Sequence, residues 1–126
     1  MASGNQESMR KGEGRSEVEI LAQLAREAGE LPAPVQLMAM RPGTASAFLA
    51  YRDRILEGGP LSDRERALVQ LAAAVAMQLC HCIGKQVQNA RKAGANQDEI
   101  VQVMLIASLQ AGTSMLSTAH EGLRPT

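Results

Sequence analysis

Aromatic residues are almost absent from this sequence, which contains one phenylalanine, one tyrosine and no tryptophan among 126 residues. So few aromatic side chains provide no platform on which nucleic-acid bases could stack. The 13 basic and 13 acidic residues cancel, so no net field attracts nucleic acid or an anionic membrane. Composition therefore argues against both partners. It leaves a core built from aliphatic residues, which suits closely packed helices.

Long apolar runs and a signal sequence are also missing. No stretch reaches the roughly 18 uninterrupted apolar residues that a membrane helix needs, and the first residues are polar. Residues 1–15 carry three glycines and almost no hydrophobic side chains, so we expect a disordered tail there. The remainder, residues 16–124, is long enough for one helical domain. We therefore expect a cytoplasmic protein.

Helical patterns separated by glycine and proline fill that domain. Ser16 caps a predicted first helix that ends at Gly29, and residues 35–40 form one or two helical turns. Thr44 is expected to cap the next helix, which stops at residues 58–60. The buried face predicted for that helix consists of Ala47, Phe48, Tyr51 and Ile55.

Two capping patterns organise the second half of the chain. Ser62 with Glu65 predicts a helix that starts at Asp63, and Asn96 with Glu99 predicts another through Ala107. Between them the chain should kink at residues 79–82 and continue as a helix that Gly94 ends. A last helix is expected from about Thr113.

The stretch from Ala67 to Met77 has Gln70 as its only polar residue. A helix that is apolar nearly all round must be covered on several sides. Because the chain is short, we expect part of that cover to come from a second subunit in a homo-oligomer.

The block from Leu61 to Ile100 resembles the core of the carboxymuconolactone decarboxylase and alkylhydroperoxidase D-like superfamily. It keeps Leu61-Ser62, Glu65-Arg66, Leu68, the stretch from Ala72 to Ala76, Cys82-Ile83, Ala90, Gly94-Ala95 and Glu99-Ile100. The resemblance extends over roughly residues 30–119. It implies an all-α bundle of five to six helices that assembles into trimers or hexamers.

The resemblance also implies a redox site that this chain has largely lost. Peroxidase-like members use a glutamate, a Cys-x-x-Cys pair and a histidine as a proton relay. With Cys82 as the second cysteine, the other three positions hold Ala67, Leu79 and Gln86. A glutamine forms hydrogen bonds but does not shuttle a proton near neutral pH, so Gln86 fits a binding pocket better than a relay. Asp63 could stand in for the glutamate one turn lower, or could simply favour the helix dipole.

Cys80 and Cys82, the only cysteines, are too few and too close together for a secreted disulfide framework. Two residues apart, they point about 200° away from each other in a regular helix, so a disulfide between them needs a non-helical turn. One hypothesis makes Cys82 the nucleophile and Cys80 the resolving thiol, with His81 or Lys85 favouring the thiolate. The alternative is that the cysteines are buried apolar filler.

A third alternative, metal binding by Cys80, His81, Cys82 and His120, has unsuitable spacing, and we expect neither a metal nor another cofactor. The family resemblance favours a thiol-dependent oxidoreductase of peroxiredoxin type, acting as an antioxidant on a small-molecule peroxide or disulfide with an external thiol reductant. Two alternatives remain. One is a decarboxylase-like enzyme that acts on a lactone carboxylate through Lys85, Arg41 or His81, and the other is a non-catalytic oligomeric binding module.

Overall fold

The computed structural model describes residues 16–126, so the tail predicted for residues 1–15 lies outside the described residues. The described chain contains six helices and no strand, which confirms the all-α class. They are α1 (Glu17–Ala28), α2 (Ala33–Ala39), α3 (Thr44–Leu56), α4 (Asp63–Ala76), α5 (Cys80–Lys92) and α6 (Gln97–Glu121). Two compact units divide the chain, one ending at Glu57 and the other running from Gly58 to Thr126.

The first unit packs α1, α2 and α3 around a small aliphatic core of Val35, Ala45 and Leu49. The predicted limits of α1 are confirmed, because the Ser16 hydroxyl accepts a hydrogen bond from the Glu19 amide and Gly29 follows the last turn with a left-handed φ of 81°. Partly buried side chains of α1, including Leu21 and Leu24, pack against the core.

The face predicted to be buried on α3 is wrong. Ala47, Tyr51 and Ile55 are exposed, and only Phe48 of the predicted set packs on the core. The helix instead buries Ala45 and Leu49. Ala45 and Leu49 have the same four-residue spacing as Ala47 and Tyr51, so the sequence pattern did not distinguish the two faces. In the structure, packing in the first unit buries the face that carries Ala45 and Leu49.

The predicted cap of α3 is also wrong. Gly43 occupies the cap position and has no side chain to accept a hydrogen bond from the first turn, and Thr44 is the first helical residue. The free backbone N–H groups are bound instead by Glu17 of α1. Its carboxylate accepts hydrogen bonds from the Gly43 amide at 3.2 Å, the Ser46 amide at 3.1 Å and the Ser46 hydroxyl at 2.8 Å. The bonds from Ser46, that of its hydroxyl foremost, hold the pKa of Glu17 below its ordinary value.

The second unit has the larger core, formed by Ala67, Leu71, Ala90, Ala95 and Ile100. Both predicted capping boxes are confirmed. At the start of α4 the Ser62 amide donates to Glu65 at 2.9 Å and the Glu65 amide to the Ser62 hydroxyl at 3.1 Å. The equivalent reciprocal pair joins Asn96 and Glu99 at the start of α6. An ion pair between Arg64 and Glu99 links the first turns of α4 and α6.

The last two predicted helices are a single helix, α6, which continues from Gln97 to Glu121. Thr113 was expected to begin a new helix, but its hydroxyl donates to the Leu109 carbonyl at 2.8 Å, one turn back in the same helix. A hydroxyl bonded in this way belongs to a helix interior rather than to a cap. Gly112 therefore lies inside α6 and does not end it.

Helix α6 is long and apolar enough to cross a membrane by length and composition alone, although only 11% of its most apolar window is buried. Length and composition alone are weak evidence, because the mostly buried core helices of soluble proteins satisfy the same criterion. In this chain α6 packs one face on α4 and contributes Ile100 and Ala107 to the buried residues.

Candidate functional site

The site that the sequence points to lies at the turn between α4 and α5. Gln78 adopts a left-handed φ of 55°, a conformation that disfavours a residue with a side chain by roughly 1 kcal/mol. The Leu79 amide donates to the Ala74 carbonyl, and the Cys80 amide donates to Gln78 two residues earlier, both at 2.9 Å. A tight three-residue turn therefore precedes α5 and confirms the predicted kink.

Both cysteines lie in the first turn of α5, and both are free and exposed. The interpretation of the cysteines as buried filler is therefore wrong. The Cys80 thiol lies 3.5 Å from the Gln78 carbonyl oxygen, to which it can donate. The Cys82 and Ile83 amides both donate to the Leu79 carbonyl, at 2.8 and 3.1 Å, so the chain is already wound as a helix at both cysteines.

A helical first turn directs the two thiols to opposite sides of α5. To bring Cys80 and Cys82 into a disulfide, the turn would have to unwind and break the bonds to Leu79. In the conformation described, the two thiols do not face each other, and each is exposed to a reactant from outside the chain. The pairing of Cys80 with Cys82 stays a prediction that requires this local opening.

The other candidate side chains follow Cys82 along α5. His81 and Lys85 are exposed and four residues apart, and Gln86 is partly buried. Residues three and four positions after Cys82 share its helix face, so Lys85 and Gln86 lie on the same side as its thiol. The side-chain carbonyl oxygen of Gln86 accepts a hydrogen bond from the side-chain amide of Asn89 at 3.5 Å, so this oxygen already has a partner within the helix.

The three altered relay positions occupy different environments. Ala67 is part of the buried core, Leu79 is the exposed cap of α5, and Gln86 lies in the second turn of that helix. Asp63, the predicted substitute for the missing glutamate, is an exposed residue of the first turn of α4 that pairs with Arg66. That ion pair favours the reading of Asp63 as a helix-start residue.

Within residues 16–126, no three histidine, cysteine or acidic side chains lie close enough together to hold a metal ion. His120 is in the last turn of α6, whereas Cys80, His81 and Cys82 begin α5. Arg41, a candidate for a decarboxylase-like site, belongs to the first unit, whereas Lys85 and His81 belong to the second.

Two features of the helices that flank the site were not predicted from the sequence, one at the cysteine turn and one at the far end of α4. One is the left-handed Gln78, because glutamine carries no preference for that conformation. The other is Arg66, whose guanidinium donates to the Gly58 and Leu61 carbonyls, both at 2.5 Å, and so fixes the entry into α4. A basic residue four positions after a capping serine is a common surface pattern, so this contact was not predictable from the residue pattern.

The helical fold and the exposed thiols at a helix start define a class of small all-α proteins with a cysteine-bearing turn between two core helices. The sequence profile of the carboxymuconolactone decarboxylase family matches residues 42–121. The chain therefore belongs to the carboxymuconolactone decarboxylase family, as the resemblance implied.

Among solved structures, a protein from Methanobacterium thermoautotrophicum is similar to this chain. It is 26% identical, with a TM-score of 0.65, and the match covers 70% of this chain and 99% of that one. No curated protein matches the chain. The similarity supports the fold and family, and it assigns no activity.

Proposed function

We propose that this protein is a thiol-dependent oxidoreductase in which Cys82 reduces a peroxide or a disulfide and an external thiol restores it. The observation that carries the proposal is the exposure of two free thiols in the first turn of one helix. A thiol must be reachable to react, and most cysteines in helical proteins are not. Membership of a family with alkylhydroperoxidase D-like members supports the same chemistry.

The reaction with a peroxide balances without a cofactor. The Cys82 thiolate attacks one peroxide oxygen, the O–O bond breaks, and the products are a sulfenic acid on Cys82 and an alcohol or water. An external thiol then condenses with the sulfenic acid, releasing water and forming a mixed disulfide. A second external thiol attacks that disulfide, frees Cys82 and leaves as the oxidised dimer.

The residues around Cys82 have distinct roles in this scheme. Lys85, on the same helix face, supplies a positive charge near the thiolate, and His81 is an exposed imidazole that can accept or return a proton. Gln86 can donate its amide N–H groups to an oxygen of the substrate. Cys80 serves as a second reactive thiol, and it resolves Cys82 directly only when the first turn of α5 opens.

The test compares the wild-type protein with Cys82→Ser and Cys80→Ser in peroxide-dependent oxidation of a dithiol donor. We expect Cys82→Ser to lose most of the rate, with only a small remainder from Cys80, and Cys80→Ser to retain most of it. Mass spectrometry of peroxide-treated protein should show adducts of the added thiol on Cys82. Equal, slow peroxide consumption by all three proteins would contradict the proposal.

A non-catalytic binding module is the second candidate, and the altered relay favours it. Ala67, Leu79 and Gln86 leave no proton-carrying group at three of the four relay positions. If native Cys82 reacts with a thiol reagent no faster than an unfolded cysteine and turns over no peroxide, this second function is the better one. The decarboxylase-like alternative stays a prediction.

A further inference from the structure

Charged side chains are distributed unevenly along the second unit. Between Arg66 and Arg91 the sequence has no aspartate, glutamate or further arginine, and Lys85 is its only lysine. Helix α6 likewise has no acidic residue, lysine or arginine from Ile100 to Ala119. The zero net charge of the whole chain therefore conceals one isolated cation, which lies three residues after Cys82.

The acidic groups of the second unit lie away from this cation along the chain. They are Asp63 and Glu65 in the first turn of α4, Asp98 and Glu99 in the first turn of α6, and Glu121 at the end of α6. About 20 Å of α4 separates the first pair from the cysteine turn, and about 15 Å of α5 separates Cys82 from the loop before the second pair. Glu121 pairs with Arg124 at 3.2 Å. None of the ion pairs within residues 16–126 involves Lys85, so no acidic side chain of this part of the chain neutralises its charge.

Lys85 and Cys82 are close enough for one small molecule to reach both. Side chains three residues apart on a helix have Cβ atoms about 5–6 Å apart, and the flexible stem of a lysine lets its ammonium group move. Both side chains are exposed, and the thiol is free. A molecule whose sulfur approaches Cys82 can therefore pair a carboxylate with Lys85, provided that the carboxylate lies a few bonds from the sulfur.

An oxidised Cys82 depends on thiols from outside the chain. Cys80 points to the other side of α5 while the first turn of that helix is wound, so two external thiols must react in succession at an exposed site. The next cations of α5, Arg91 and Lys92, lie about 14 Å or more along the helix from Cys82, and Arg91 already donates to Gln97 at 3.1 Å. One cation beside the thiol suits a small molecule with one carboxylate better than a broad acidic protein surface.

We infer that the small thiol or disulfide that exchanges with Cys82 carries a carboxylate, and that Lys85 is the residue that selects it. This partner class rests on the thiol chemistry proposed above. The partner's thiolate attacks the sulfur of the Cys82 sulfenic acid, forms a mixed disulfide and expels hydroxide, which takes up a proton to become water. A second thiolate attacks the partner's sulfur in that disulfide, which yields the small disulfide and returns Cys82 as a thiolate. In both steps the charge of Lys85 raises the local concentration of an anionic thiol.

The first test measures the selectivity of Cys82 without peroxide, in a Cys80→Ser parent protein so that only one thiol reacts. The Cys82 thiolate attacks a disulfide probe and releases one aromatic thiol, whose absorbance gives the rate. The measured quantity is the rate with dianionic dithiobis-nitrobenzoate divided by the rate with uncharged dithiodipyridine, because this ratio cancels any change in the thiolate fraction. At about pH 8 histidine side chains are uncharged, and at about 0.1 M salt charges are screened over about 10 Å.

Lys85→Gln should lower this ratio about threefold, the effect of removing one charge about 6 Å from the reacting sulfur. Lys92→Gln is the matched control. It makes the same change about 15 Å along the helix from Cys82, beyond the screening distance, and should leave the ratio unchanged. In about 1 M salt the parent ratio should fall to that of Lys85→Gln. Lysine and glutamine form helices almost equally well, so circular dichroism should show the same helicity in all proteins.

Two outcomes of this first test would overturn the inference. One is the same ratio in the parent and in Lys85→Gln, which would mean that Lys85 selects nothing. The other is an equal loss in Lys92→Gln, which would mean that the charge of the whole helix acts, as expected for an acidic protein partner.

The second test connects the selectivity to turnover in the protein with both cysteines. Peroxide reduction is driven either by N-acetylcysteine, which has a carboxylate, or by its amide, which has none. Lys85→Gln should lower the rate about threefold more with N-acetylcysteine than with the amide. Equal effects on the two donors would contradict the carboxylate-bearing partner. A probe ratio that depends on Lys85, without peroxide turnover by either donor, would instead contradict the proposed oxidoreductase and leave the selectivity of Cys82 standing.

Discussion

The two compact units of this chain secure the starts of their helices in different ways. In the second unit, α4 and α6 each begin with a capping box formed by residues three apart in sequence. In the first unit, α3 begins at a glycine that has no side chain, and Glu17 of α1, 26 residues earlier, binds its free amide. Local capping holds one helix at a time, whereas the Glu17 contact also joins two helices.

The hydrophobic cores of the two units also differ, in the size of their buried side chains. The second unit buries Leu71 and Ile100 completely or nearly so, whereas the largest buried side chains of the first unit are Val35 and Leu49. Fewer buried aliphatic atoms mean less hydrophobic stabilisation, so polar contacts carry a larger share in the first unit. The comparison therefore predicts that core substitutions affect the second unit most and that pH affects the first unit through Glu17.

The largest effect is expected from Leu71→Ala. Leu71 is 0% exposed, and removing its branched end leaves a cavity between α4, α5 and α6, so we expect a loss of about 3 kcal/mol in the free energy of unfolding. Urea unfolding followed by circular dichroism measures it. Leu49→Ala, in the smaller core, is the matched variant and should lose less free energy of unfolding. An equal or greater loss would contradict the inferred difference between the cores.

A smaller effect is expected from Ser62→Ala at the start of α4. The substitution removes the acceptor of the Glu65 amide, and loss of a serine cap typically destabilises a protein by about 1 kcal/mol. Amide hydrogen exchange should rise in residues 63–66 and remain unchanged in α3. Faster exchange in both helices would show that the cap is not local.

The smallest effect at neutral pH, and the most dependent on pH, is expected from Glu17→Gln. Because the pKa of Glu17 is lowered in the folded protein, chiefly by the Ser46 hydroxyl, its ionised form contributes stability above the pKa of the unfolded chain. That contribution is lost as pH falls through the folded pKa. Wild type should therefore have a larger free energy of unfolding than Glu17→Gln at neutral pH, and the two free energies should become equal in acid.

Glu19→Gln is the control for this prediction. Glu19 shares the first turn of α1 and the same favourable position near the helix dipole, but the carboxylate that accepts the three bonds at the start of α3 is that of Glu17. Amide exchange in α3, followed as a function of pH, should respond to Glu17→Gln and not to Glu19→Gln. The lowered pKa of Glu65, caused by its bonds to Ser62, adds a similar acid dependence in α4 that both variants retain.

Features set by neighbouring residues were predictable from the sequence. The cap of α1 at Ser16 and both capping boxes depend on side chains within four residues of the backbone they serve. Family membership was predictable too, since it rests on the order of residues such as Glu65-Arg66 and Gly94-Ala95. The same holds for the altered relay, which needs only the identities of Ala67, Leu79 and Gln86.

Features set by distant residues needed the tertiary structure. Which face of α3 is buried depends on what packs against it, and the cap of that helix is supplied by Glu17 of another helix. The Thr113 hydroxyl could have capped a new helix, but in the structure it donates to the Leu109 carbonyl, and α6 continues through Gly112. The exposure of Cys80 and Cys82 likewise followed only from the placement of α5, because a cysteine pattern reads the same in a core and at a surface.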